Sequence, residues 1–124
     1  MAHILIAEDE RDIRELIKFT LTFAGHQITE AVNGEEAVEK AKEIIPDLIM
    51  TDVRMPKMTG YEACKVIKEN DSTKHIPVVI LSAKGQDEEK DLGREAGADE
   101  YIVKPFAPDQ LTKRVAEILE KWGV

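Results

Sequence analysis

Ile4-Leu5-Ile6-Ala7-Glu8-Asp9-Glu10 and Asp47-Leu48-Ile49-Met50-Thr51-Asp52 share one plan: a short, continuous apolar run that stops at an acid. A run of this length without polar alternation is the pattern of a strand buried on both faces. Such strands belong to parallel sheets with helices packed on either side, so the intervening sequence should read as helix. It does. Ile13, Leu16, Ile17, Thr20, Leu21 and Ala24 make a helical stripe, closed by Gly25. Gln27-Ile28-Thr29-Glu30-Ala31 is more polar and reads as an edge strand. Asn33-Gly34 starts a second helix with Ala37, Val38, Ala41 and Ile45 on its buried side, and Pro46 stops it.

The same alternation runs to the C-terminus. Residues 54–60 read as a loop, and Gly60, Cys64 and Ile67 mark the buried side of a helix ending near Asn70. Ile76-Pro77-Val78-Val79-Ile80-Leu81 predicts a fourth strand with its proline at the start. The charged stretch 86–95 predicts a helix anchored only by Leu92 and Ala96. Tyr101-Ile102-Val103 predicts the fifth strand, and Leu111, Val115, Ile118, Leu119 and Trp122 the stripe of a last helix, with Trp122 and Phe106 as packing residues. Five strands alternating with five helices imply one α/β domain over residues 1–124, a parallel sheet flanked by helices on both faces.

Composition excludes several functions. The chain has 124 residues, of which 17 are Lys or Arg and 25 are Asp or Glu, for a net charge of −8. That balance opposes a nucleic-acid groove, where clustered cations must displace counterions. The single cysteine, Cys64, rules out an internal disulfide or a cysteine zinc cluster. His3, His26 and His75 are scattered. The first apolar run turns acidic at Glu8, too soon for a signal peptide or a spanning helix, so a cytoplasmic protein without membrane contact is expected.

In an open parallel sheet, ligands bind beyond the carboxyl ends of the strands. Those ends carry Glu8 and Asp9, Asp52, Ser82 and Lys104. Carboxylates held close together repel and call for a cation, and oxygen-only ligation suits Mg²⁺. Lys104 offers a compact positive charge and Ser82 a hydrogen-bond donor, which are the parts needed around a phosphoryl group. Asp52 can serve as a carboxylate nucleophile. Singly, each residue has a plainer reading: Asp9 as a helix cap, Asp12 as a first-turn acid, Lys104 as a surface lysine. Their occurrence on four separate strand ends is what favours a site.

These residues sit in motifs that resemble the receiver domain of two-component response regulators, chemotaxis regulators included. The matching pieces are Ile-Leu-Ile-Ala-Glu-Asp-Glu (4–10), Asp-Leu-Ile-Met-Thr-Asp-Val-Arg-Met-Pro (47–56) with Gly60, Leu-Ser-Ala (81–83), Gly-Ala-Asp (97–99) and Tyr-Ile-Val-Lys-Pro-Phe (101–106), in order and over nearly the whole chain. The resemblance implies a flavodoxin-like three-layer fold with strand order 2-1-3-4-5. It implies a phosphorylation-activated signalling switch rather than an enzyme, with Asp52 taking a phosphoryl group from a sensor histidine kinase or phosphotransfer protein and slowly losing it. Glu8, Asp9, Asp52 and the backbone carbonyl of Arg54 would hold Mg²⁺, with Mn²⁺ as a substitute. Lys104 and Ser82 would contact the phosphoryl group, Tyr101 would move inward with Ser82, and Lys104-Pro105 would be a cis peptide.

By the same resemblance, the output would run through residues 86–121, to a downstream protein or a second copy. Lys90, Asp91, Arg94, Asp99, Glu100 and Arg114 would form its charged face. Glu8 stands where aspartate is commoner and Ser82 where threonine is frequent, while Arg54 and Lys84 flank the site with long cations. Two other classes fit less well. A dehalogenase-type phosphatase needs an acid two residues after its nucleophile, where this chain has Arg54. A flavin binder needs a phosphate loop after the first strand, where this chain has Glu8, Asp9, Glu10 and Asp12.

Overall fold

A computed structural model describes residues 1–83 and 94–124. Five parallel strands, β1 (His3–Ala7), β2 (Gln27–Ala31), β3 (Leu48–Asp52), β4 (Val78–Ala83) and β5 (Glu100–Lys104), form one sheet in the order β2-β1-β3-β4-β5. Helices α1 (Arg11–Phe23), α2 (Gly34–Ile44) and α3 (Gly60–Glu69) and a C-terminal helix (Pro108–Lys121) connect and cover the strands. Residues 94–96 are also helical, and the expected helix over 86–95 otherwise lies outside the described residues.

Period-two alternation along the central strands sends side chains to two separate cores. Leu5, Ala7, Ile49, Val78 and Ile80 pack with Ala37, Val38 and Ala41 of α2 and Ala63, Cys64 and Ile67 of α3. Ile4, Ile6, Leu48, Met50, Val79 and Leu81 pack with Ile17 and Leu21 of α1 and Leu111, Val115, Ile118 and Leu119 of the C-terminal helix. Ile4, Leu5, Ile6, Leu48, Ile49 and Met50 are fully buried. Each such side chain contributes about 1.5–3 kcal/mol of hydrophobic stabilisation, which is why β1 and β3 occupy the middle of the sheet.

Local chemistry sets the helix ends. Asn33 caps α2, its Oδ1 accepting from Glu36 N–H at 2.8 Å. Thr59 and Glu62 form a reciprocal capping box on α3, at 3.2 and 3.0 Å. Pro108 opens the C-terminal helix, where its missing N–H is harmless. The residue capping α1 is Glu10, with no side-chain cap, so Asp9 is not serving as a helix cap.

Several expectations need correction. Ile45 does not join the buried stripe of α2: it follows the helix as its left-handed C-cap, with φ +43°, and is 40% exposed, and Leu16 of α1 is 43% exposed. The fourth strand starts at Val78, and Pro77 precedes it, contributing only its carbonyl as acceptor for Ile49 N–H at 3.0 Å. Trp122 is not a core residue: it follows the C-terminal helix and is 40% exposed, because that helix completes its buried stripe at Leu119. Phe106 is partly buried against the core as expected.

Candidate functional site

The chain passes from β1 to β2 on one side and from β3 to β4 on the other, so the crossovers through α1 and α3 leave the β1–β3 pair in opposite directions. The carboxyl ends of β1 and β3 therefore lie where the winding of the sheet reverses, the position where open parallel sheets bind ligands. Glu8 and Asp9 follow β1, and Asp52 ends β3. A carboxylate oxygen from each of the three lies within 4.8 Å of the others. Lys104, the last residue of β5, reaches across the end of β4 to place Nζ 2.7 Å from Asp52 Oδ1 and 3.6 Å from Glu8 Oε1.

Burial makes this cluster costly. Glu8 is fully buried, and neither of its carboxylate oxygens has a hydrogen-bond partner among the described residues. Burial, followed by the adjoining Asp52 carboxylate, pushes the Glu8 carboxyl up to about 8, and Lys104 opposes this only in part. Burial pulls the Lys104 ammonium down, but Asp52 and Glu8 outweigh it and hold its pKa above the ordinary lysine value. One ammonium serves two acids, so the cluster is short of positive charge.

A divalent cation fits this deficit. The donors are all oxygen, two of them are buried and lack partners, and Asp9 is exposed enough to leave a route for water.

The other site residues predicted from sequence are distributed around this cluster. Ser82 lies in β4, opposite Val103 of β5, and its buried Oγ has no partner among the described residues. Tyr101 is half-buried against the α2–α3 core. Arg54 is exposed in the loop after β3, and the Lys104–Pro105 bond is cis. Asp52 is held on its own strand by Val53 N–H, which donates to Oδ1 at 2.8 Å. Gly60 packs so closely beneath it that a Cβ there would come within 2.0 Å of the Asp52 carbonyl oxygen.

Lys84, Lys90 and Asp91 lie outside the described residues. Two members of the expected charged face are turned inward. Glu100 is buried and bonded by Arg114 at 2.9 Å and Lys121 at 2.7 Å. Asp99 accepts from Val78 N–H at 2.8 Å and pairs with Lys68 of α3. Their strand-end backbone puts them over α3 and the C-terminal helix, which sequence spacing does not show. Arg14 has no motif of its own either, yet it contacts the turn carrying Glu8 and Asp9.

A family model described as the response regulator receiver domain matches residues 4–116. The chain belongs to the response regulator receiver domain family. This receiver is 41% identical over 118 residues to the phosphate regulon transcriptional regulatory protein PhoB of Klebsiella pneumoniae, covering 95% of this chain and 52% of that protein. It is 42% identical to the transcriptional regulatory protein ResD of Bacillus subtilis, covering 95% and 48%. The receiver thus spans about half the length of the curated relatives it matches.

Among solved structures, the chemotaxis response regulator CheY4 of Vibrio cholerae superposes with a TM-score of 0.89 at 36% identity, covering 95% of this chain and 98% of that one. The receiver domain of sensor histidine kinase PA1611 from Pseudomonas aeruginosa has a TM-score of 0.86 at 27% identity, covering 98% and 96%; its structure holds a magnesium ion coordinated in the active site cleft. Receiver domains of response regulators are phosphorylation-activated signalling modules that interact with histidine kinases. Among the described residues, no helix of this receiver is long and apolar enough to cross a membrane.

Proposed function

We propose that Asp52 is the phosphoryl acceptor of this receiver and that its donor is the phosphohistidine of a sensor kinase or a phosphotransfer protein. The observation that carries this reading is the ammonium of Lys104 at 2.7 Å from an Asp52 carboxylate that sits beside two further acids. An Asp52 oxygen forms the new O–P bond as the donor's N–P bond breaks, and the electron pair of that bond leaves with the imidazole. Lys104 then meets a phosphoryl oxygen in place of a carboxylate oxygen, and the Ser82 hydroxyl donates to another.

Glu8, Asp9, Asp52 and the carbonyl of Arg54 would hold Mg²⁺ or Mn²⁺, which supplies positive charge where an anionic nucleophile must approach an anionic phosphoryl group. The magnesium ion coordinated in the active site cleft of the PA1611 receiver supports a magnesium site in this family's cleft. Acceptance of the phosphoryl group draws Ser82 and Lys104 inward, and Tyr101 follows. The change is relayed through residues 86–121 to a downstream protein or a second copy. The phosphoryl group is lost slowly by hydrolysis, so the chain acts as a timed switch and turns over no substrate. Its setting is the cytoplasm.

Incubation with acetyl phosphate and Mg²⁺ tests the assignment. Intact-mass analysis should show one added, alkali-labile phosphoryl group, and Asp52→Asn should abolish it because the amide is a poor nucleophile. Wild-type yield in Asp52→Asn would overturn the assignment.

A further inference from the structure

Arg14 sits in the first turn of α1 and is largely buried, its side chain 15% exposed. Its Nη1 donates to the carbonyl of Glu8 at 2.9 Å and to that of Asp9 at 3.4 Å. Its Nε donates to Glu30 Oε2 at 3.0 Å. Glu30 is itself fixed: Lys18 pairs with its other carboxylate oxygen at 3.0 Å, and Lys40 of α2 donates to its carbonyl. Burial alone would push the Glu30 carboxyl up, but Lys18 and Arg14 outweigh it and hold it below the usual carboxylate range. A second tie joins the same segments, Glu8 N–H donating to Ala31 carbonyl at 3.1 Å.

We infer that Arg14 is a positioning residue for the cation site: one guanidinium fixes the turn that carries Glu8 and Asp9 against the edge strand, before any cation arrives. The physical need is on the page. Three acids within 4.8 Å repel, and two of them sit on a single turn at the free end of β1. Left alone, that turn would relax outward and separate Glu8 from Asp52. Only a planar, multi-donor cation can hold two adjacent carbonyls and a carboxylate at once, which is why arginine and not lysine suits the position. Among the described residues Arg14 donates to the Glu8 and Asp9 carbonyls and to Glu30, not to a site carboxylate, so its effect passes through backbone geometry.

The inference rests on the cation-site reading above, and the test separates the two. In EDTA, amide hydrogen exchange at residues 8–10 should be slow in the wild type and at least ~10-fold faster in Arg14→Met, with the strands unchanged. The Mg²⁺ concentration giving half-maximal chemical-shift change should rise by ~10- to 100-fold, the usual cost of losing a partner that orients metal ligands. The rate of phosphorylation by acetyl phosphate at saturating Mg²⁺ should return toward the wild-type value, since the chemistry itself is intact. Arg14→Lys should recover only part of the affinity. Arg11→Met removes the same charge nearby, from an exposed pair with Glu15 at 3.1 Å, and should leave the midpoint unchanged.

If Arg14→Met fails to fold, Arg14→Lys and Glu30→Gln carry the same comparison. Wild-type exchange at residues 8–10 and a wild-type Mg²⁺ midpoint in the folded variants would overturn the inference. A wild-type protein indifferent to Mg²⁺ would instead overturn the cation-site reading, while exchange in EDTA would still decide the tether.

Discussion

Lys104 Nζ lies 2.7 Å from Asp52 Oδ1, although β5 and β3 are not neighbours in the sheet and β4 runs between them. The lysine therefore reaches over the end of β4 to neutralise an acid two strands away. Lys104→Ala should leave Asp52 able to take a phosphoryl group, since the carboxylate nucleophile remains. It should remove the chemical-shift changes at Ser82 and Tyr101 that beryllofluoride produces in the wild type. Wild-type shifts at those residues in Lys104→Ala would show that the lysine does not read the phosphoryl group.

The Glu8 carboxyl gives a pH dependence of defined sign. Its pKa is raised from the ordinary 4.5 to about 8, so between those values the folded chain holds a proton that the unfolded chain has released. Metal-free stability should therefore fall as pH rises from about 4.5 toward about 8, as far as Glu8 governs it. Mg²⁺ competes with that proton, so the rise in Tm on adding Mg²⁺ should be larger at pH 8 than at pH 6. Glu8→Gln should flatten the metal-free slope. Melting curves with EDTA or Mg²⁺ across this range would measure both.

Gly60 and Gly25 should fail differently when given a side chain. At Gly60 the obstacle is contact, 2.0 Å to the Asp52 carbonyl oxygen and 3.1 Å to Thr51 Oγ1, with backbone on the other side of the clash. Gly60→Ala must displace Asp52, so it should lower both Tm and phosphoryl acceptance. At Gly25 nothing lies within 4 Å, but φ is +98°. Gly25→Ala should cost about 1–2 kcal/mol of stability and leave the phosphorylation rate unchanged. Equal acceptance rates in the two variants would contradict the close packing beneath Asp52.

Cys64 is fully buried and donates to the Ala96 carbonyl at 3.6 Å. Burial pushes its thiol up to about 12, leaving almost no thiolate at neutral pH. Iodoacetamide should leave the native protein unlabelled for hours and modify Cys64 at once in denaturant. Rapid native labelling, followed by mass spectrometry, would mean that the contact between α3 and residue 96 opens readily.

The positions of the strands and the residues at their ends follow from local pattern. Ile4–Ala7 and Leu48–Met50 are apolar without alternation because both faces of β1 and β3 are covered, and that constraint is written along the chain itself. The acids after them, Ser82 and Lys104, stand out because they interrupt those runs. Fine boundaries were less legible: Pro77 lies outside the strand it was expected to open, since the ladder there needs only its carbonyl. Trp122 continues a helical period in sequence, but the helix ends at Lys121 and leaves it 40% exposed as the C-cap.

Sequence alone thus determined the element types, the family motifs and which side chains collect at one edge of the sheet. Tertiary structure decided how those side chains act on one another. Glu8 reads as a rim acid, yet it is fully buried and its carboxylate oxygens have no hydrogen-bond partner among the described residues. Glu100 and Asp99 read as surface charges, yet the C-terminal helix and α3 enclose them with cations. Arg14 belongs to no sequence motif, yet it ties two site carbonyls to an edge strand. The reason is common to all three. Periodicity records which face of its own element a residue occupies, whereas desolvation and charge pairing depend on segments far away in the chain, brought close only when the sheet is assembled.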